Sequence, residues 1–211
     1  MIYYVLLYVT LLTGLFPIVM FIGKGNHLNK QNNYVLPLIL LIAGSSIYEY
    51  VVSGVLKISV IPWYQIHSLL EFLALYYLFI KLIVQRPKWF FLTFLGLFLL
   101  IYVYSFFCLE EDSAFLAKSI NKSFLTLFIM WCSFLWVKQV FDQKMILSLY
   151  KESSFYVVMG LFFYYSTTIS LFMLSSYIYN NDIYFNDYWL VNIIASLILR
   201  IILSIGVWKM K

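Results

Sequence analysis

Read only for hydrophobic and polar positions, the chain is a succession of long apolar runs separated by short polar breaks. Seven runs stand out, at about 2–22, 34–56, 64–84, 89–108, 124–141, 155–179 and 188–208. Most approach or exceed the ~20 residues that an α-helix needs to cross a hydrocarbon layer. A transmembrane barrel would instead alternate apolar and polar positions over ~10-residue strands. These runs are continuous, and in lipid a continuous apolar segment satisfies its own backbone as a helix. The pattern predicts an all-α, polytopic transmembrane helix bundle of seven spans, a single membrane domain over 1–211. The first run is expected to be a span and not a leader, since it lacks a basic start and a small-residue cleavage site.

Composition strengthens that reading. The chain is 64% hydrophobic and 11% charged, against roughly 45–50% and about 25% in soluble domains. The longest breaks, 109–123 and 142–154, are too short to hold a soluble domain. Cys108 and Cys132 form no CxxC and no disulfide framework. The net charge of +5 does not imply nucleic acid, because the basic residues are spread thinly between apolar blocks and not gathered on one face.

That spread carries orientation instead. Lys24, Lys30, Lys81, Arg86, Lys88, Lys138, Lys144, Lys151, Lys209 and Lys211 fall in or beside one set of breaks and the C-terminal tail. The opposite set holds Lys57, Lys118 and Lys122, with Glu110, Glu111, Asp112, Asp182 and Asp187. Positive charge concentrates on the cytoplasmic side, so the expected arrangement is N-terminus outside and C-terminus cytoplasmic, in a bacterial-type inner membrane. Tyr3, Tyr4, Trp63, Tyr64, Trp89, Trp189 and Trp208 near span ends read as interfacial anchors, not as a cofactor cage. Asp112 and Ser113 read as caps for a helix leading into the fifth span, with Phe115, Leu116 and Ile120 at the interface.

Against this background a few ionisable groups stand out within the runs, each costing about 2.5–3.5 kcal/mol at mid-membrane on insertion scales. They are Glu49 in the second, His67 and Glu71 in the third, and Arg200 in the seventh. Counting 1.5 Å per residue from the connecting KISVIPW segment places Glu49 and Glu71 both about 10 Å deep on neighbouring antiparallel helices. Tyr64, His67 and Glu71 share one face at i, i+3, i+7. Ser45 or Ser46, Glu49 and Ser53 repeat the pattern in the second run, and Asn192, Ser196, Arg200 and Ser204 form a stripe in the seventh. The sixth adds YYSTTIS at 164–170. These positions predict a polar site in the outer half of the bundle, made of Glu49, Tyr64, His67, Glu71, Asn192 and Arg200. The expected use is ligand or proton binding, with Arg200 reaching towards the carboxylates. The plainer reading of the same residues is a structural ion pair and interhelical hydrogen bonds that fix packing.

The chemistry such a site supports is bounded by what is missing. The seventh run holds no lysine before Lys209 for a retinal Schiff base, and His27 and His67 are too few for a three-histidine zinc site. All four aspartates lie in the breaks, which excludes a paired intramembrane aspartyl dyad. No Pro-Gln pair, rhomboid-type serine element, P-loop or GxGxxG is present. Glu49, His67 and Glu71 offer at most an oxygen-rich metal set, and neither a metal nor a cofactor is expected. No nucleophile stands out to make an enzyme. The favoured expectation is a non-enzymatic ligand-sensing or accessory subunit that depends on a protein partner or a second copy as well as the lipid bilayer. A proton-coupled carrier using the His67 and Glu71 pair, and an intramembrane lipid-modifying enzyme, are the alternatives.

Overall fold

The four prolines of the chain each stand where a helix begins, the position at which a missing N–H costs nothing. Pro17 opens α2 (Phe16–Gly23), Pro37 opens α3 (Leu36–Tyr48), Pro62 opens α4 (Ile61–Leu82), and Pro87 caps α5 (Lys88–Phe106). The computed structural model of the chain describes residues 2–25, 33–58, 61–84, 87–107, 114–142, 149–180 and 185–210. Its remaining elements are α1 (Ile2–Thr13), a π-helix (Glu49–Val55), α6 (Ala114–Asp142), α7 (Ser153–Asn180) and α8 (Phe185–Lys209). Helix is the dominant state, and no strand occurs among the described residues.

Among the described residues, six helical segments are long and apolar enough to cross a membrane: Tyr3–Gly23, Pro62–Leu82, Lys88–Phe106, Leu116–Asp142, Ser153–Ser175 and Asp187–Lys209. Leu36–Val52, within the second apolar run, is a shorter apolar helix. Three boundaries differ from those expected. The first run is broken at Gly14–Leu15 into α1 and α2, because Pro17 cannot donate to the carbonyl four residues earlier. The second leaves α-geometry at Glu49, where the weak helix formers of Tyr-Val-Val-Ser-Gly-Val give way to the wider π-turn. Leu56 N–H donates to Val51 O at 2.9 Å, and Lys57, at φ 52°, ends the helix in the left-handed region.

The third difference matters most for the site. α6 starts at Ala114, ten residues before the apolar run at 124. Its buried positions, Ala117, Asn121, Leu125, Phe128 and Cys132, with Lys122, Thr126, Ile129, Ser133 and Trp136, keep helical spacing straight through the polar stretch. Leu116 is exposed and Ile120 half-buried. Asp112, Ser113 and Cys108 lie outside the described residues, while Cys132 is a buried free thiol.

The elements close into a ring. α1 and α2 pack on α8, α8 on α7, α7 on α6, α6 on α4, α4 on α3, and α3 back on α2. α5 lies outside, held to α6 and α4 chiefly by rings around the fully buried Phe128. Phe72 of α4 stacks on Phe98 of α5 with centroids 3.8 Å apart and planes 5° apart. Beside it, Gln65 donates to Ser105 Oγ at 2.5 Å and Asn121 donates to the same oxygen at 3.0 Å, tying α4, α5 and α6 through one hydroxyl.

Inside the ring the two ends differ. Where α2, α4, α6 and α8 finish and α3 and α7 start, the interior is apolar, filled by Phe21, Ile39, Phe79, Val157, Leu203 and Val207. Lys24 closes this end by donating to the carbonyls of Trp208 and Met210, which α8 leaves unpaired at its C-terminus. The other end is polar and hollow.

Candidate functional site

The hollow end holds a cavity of about 350 Å³ lined by α1, α3, the π-helix, α4, α6, α7 and α8. α5 contributes nothing to it. All six residues expected to form a site, Glu49, Tyr64, His67, Glu71, Asn192 and Arg200, line this one cavity. Each reaches it for the reason the periodicity implies. His67 and Glu71 are a turn apart on α4, and Asn192, Ser196 and Arg200 descend one face of α8. Ser45 lines the cavity above Glu49 in sequence, while the Ser53 side chain lies outside the described residues.

The expected partnership of Arg200 with the carboxylates is corrected by the geometry. Glu71 pairs with Lys122, whose Nζ donates to Oε1 at 2.5 Å. Tyr165 OH donates to the same oxygen at 2.7 Å. His67 Nδ1 stands 3.6 Å from Oε2, too far for a normal hydrogen bond. Oε2 is buried and has no hydrogen-bond partner. Arg200 instead donates through Nη1 to the carbonyl of Thr10, which also receives Gly14 N–H at 3.1 Å and Thr13 Oγ1 at 2.9 Å. The guanidinium thus pins α8 to the last turn of α1 beside the Pro17 break. Gly14 is required there: a methyl group would collide with Ser46 Oγ and stand 3.1 Å from Arg200 Nη1.

Lys118 and Lys122 are the functional candidates missed in the sequence. By hydrophobicity both fall in a polar break, yet they occupy successive turns of α6 and face the cavity. Their signal was present: 118, 122, 126, 129 and 133 continue the buried spacing of the apolar part of the helix. Hydrophobicity alone hid it, since a lysine scores as a break whether or not it is paired.

The aromatic residues near span ends divide in two. Tyr4, Trp89 and Trp208 are exposed, as interfacial anchors would be. Tyr3, Trp63, Tyr64 and Trp189 line the cavity, which corrects their reading as anchors alone. Lys118 Nζ lies 3.9 Å from the Tyr64 ring centroid and 4.6 Å from that of Trp189, a cation held by ring faces. Trp63 stacks on Tyr48 at 4.2 Å, next to Glu49, and its ring is 5.8 Å from His67. Tyr164 OH donates to Asn192 Oδ1 at 3.1 Å, fixing the amide that faces the space.

The result is an asymmetric electrostatic arrangement. At the floor, Glu71, Lys122 and Tyr165 satisfy one another except at Oε2. Glu49 and Lys118 line the space nearer the open end and Arg200 lines it at the last turn of α1, and among the described residues no ion pair within 4.0 Å joins them. No group of three or more His, Cys, Asp and Glu side chains converges among the described residues, so Glu49, His67 and Glu71 do not assemble a metal donor set. The one hydroxyl seen within hydrogen-bond reach of a carboxylate in the cavity, among the described residues, is Tyr165 OH, and the Glu71 oxygen it donates to is already paired with Lys122. The arrangement offers charges of both signs, aromatic faces and an apolar wall. Comparison with family models, with curated proteins and with solved structures returned no match.

Proposed function

We propose that the chain is a seven-span integral membrane protein, N-terminus outside and C-terminus cytoplasmic, that acts as a ligand-sensing or accessory subunit of a bacterial-type inner membrane. The observation that carries this reading is one cavity lined by all six residues expected to form a site, stacked on an apolar plug at the opposite end of the ring. The apolar plug leaves the cavity reachable from one side, which suits recognition of a ligand from that side; an alternating-access carrier closed on the other side has the same form. The orientation gains support from α6: with residues inside the helices left out on both sides, Lys57 is the basic residue of the outer breaks, against Lys24, Lys30, Arg86, Lys144, Lys151 and Lys211 on the other side. In that orientation the cavity falls in the outer half of the bundle.

With the cytoplasmic breaks this short, a bound ligand would be reported through a partner subunit or a second copy. The test is chemical cross-linking in membranes followed by purification, with wild-type chain and a Glu49→Gln, Lys118→Gln double variant. A stoichiometric cross-linked species whose yield changes in the double variant is the expected outcome. A chain that stays monomeric in both overturns the accessory reading.

A carrier is the second reading, favoured by the unpartnered Glu71 Oε2 beside His67. pH-driven solute flux in proteoliposomes, abolished by Glu71→Gln, would place it first.

A further inference from the structure

The cavity is unsaturated in both signs of charge, and that decides what class of ligand it suits. Glu49 has no cation within ion-pair distance, and Lys118 and Arg200 have no carboxylate within it, among the described residues. Two buried acceptors or donors that line the space, Glu71 Oε2 and Ser45 Oγ, lack hydrogen-bond partners. Glu49 is exposed to the space and Lys118 and Arg200 are half-buried, whereas Glu71 and Ser45 are buried; a buried polar atom left unpaired is costly, and a ligand that supplies the partner recovers that cost.

A purely anionic ligand would satisfy Lys118 and set its charge against Glu49. A purely cationic one would satisfy Glu49 and meet Lys118, Lys122 and Arg200. A dipolar ligand satisfies both: its ammonium lies towards Glu49 and the free oxygen of Glu71, its anionic oxygens towards Lys118 and Arg200. The ring of Trp63, stacked on Tyr48 next to Glu49, lines the same space and suits the ammonium and its methylenes, while Tyr64 and Trp189 hold Lys118 beside the anionic end. Leu7, Leu41 and Leu161 offer apolar wall to any tail. At about 350 Å³ the cavity lies at the small end of the 300–1,000 Å³ typical of ligand sites.

We infer that the cavity binds a small zwitterion that joins a primary ammonium to a phosphate, either as a free solute or as the headgroup of an aminophospholipid. This rests on the ligand-binding reading above and narrows it to one chemistry.

The probes are phosphoethanolamine, inorganic phosphate and ethanolamine, each titrated at constant ionic strength into the protein in nanodiscs of phosphatidylglycerol, with tryptophan fluorescence as readout. Phosphoethanolamine is expected to bind about tenfold or more tightly than either single-charge fragment, and to lose about tenfold in Lys118→Gln and in Glu49→Gln. Lys118→Arg, which keeps the charge, should retain binding. Native mass spectrometry of protein extracted from phosphatidylethanolamine membranes separates the sources: a retained lipid lost in Glu49→Gln assigns the headgroup, and binding of the free probe without retained lipid assigns a solute. If phosphate or ethanolamine alone binds as well as the zwitterion, the dipolar inference fails and a ligand cavity stands. If no probe binds and no lipid is retained, while both variants fold like the wild type, the dipolar inference is overturned. The cross-linking result then judges the accessory reading separately.

Discussion

Removing the Lys122 ammonium while leaving Glu71 in place strands a carboxylate that is 8% exposed with Tyr165 as its remaining hydrogen-bond donor. Breaking a buried pair in this one-sided way costs about 3–5 kcal/mol, whereas removing both charges is often neutral. Lys122→Met is therefore expected to lower the thermal midpoint of the detergent-purified protein sharply, and Lys122→Met with Glu71→Gln to recover most of the loss. Equal damage from both would contradict the pairing. Gly14 gives a second residue-level test. Its missing Cβ lets Ser46 and Arg200 approach α1, so Gly14→Ala should cost about 1–3 kcal/mol by overpacking, measured by the same thermal unfolding. At this scale the sequence identified Glu49, His67, Glu71 and Arg200 as out of place in lipid, but not their partners. Arg200 finds a backbone carbonyl, and Glu71 finds a lysine 51 positions away. Neither choice has any signature in local spacing.

Glycines along the helices separate two roles that look the same in a sequence. Gly206 of α8 faces α7, where an added Cβ would stand 3.2 Å from the Tyr156 Cβ and 3.4 Å from the Ser153 carbonyl. Gly160 likewise meets Ile202 at 3.0 Å. Small residues of this kind let two helices approach closely where lipid supplies no hydrophobic drive. Gly96 of α5 meets nothing within 4 Å. Gly206→Leu should destabilise the bundle by about 1–3 kcal/mol, while Gly96→Ala should be neutral or stabilising by up to about 1 kcal/mol from helix propensity. Thermal melts of the two variants side by side decide it, and equal effects would refute the close α7 to α8 contact. The helical state of each apolar run was legible, because long apolar runs have one stable form in a bilayer, but among the described residues six of the seven expected spans are long and apolar enough to cross and the second is a shorter helix. Element ends were less legible: the break at Gly14–Leu15 was foreshadowed by Pro17 and the early start of α6 by the spacing of 118, 122 and 126, while the π-helix at Glu49 had only a run of weak helix formers to announce it.

For the molecule as a whole, the arrangement is a ring of helices with one peripheral member and a cavity at one end. The proposed orientation makes a direct demand: a fluorescent protein that matures only in the cytoplasm should glow when fused after Lys211, and a periplasm-dependent phosphatase at the same point should stay inactive. The opposite pair of results would invert the bundle and move the cavity to the cytoplasmic half. The ring also explains why α5, though among the most apolar helices, contributes nothing to the cavity. It has no polar face to bury, so it packs outside on α4 and α6 through Phe72, Phe98 and Phe128.

The sequence by itself determined that this is a helical, apolar chain suited to a membrane, and that a small set of polar residues shares depth and helical face within it. Those properties follow from local rules: backbone satisfaction in lipid, a 1.5 Å rise and a 3.6-residue turn. Tertiary structure alone decided that α1 and α6 join α3, α4, α7 and α8 around the cavity, that Lys122 neutralises Glu71, and that Lys118 and Glu49 face the same space unpaired. Charge pairing is set by which helices are neighbours in space, and in a ring of helices that order is fixed by packing between faces distant in the chain.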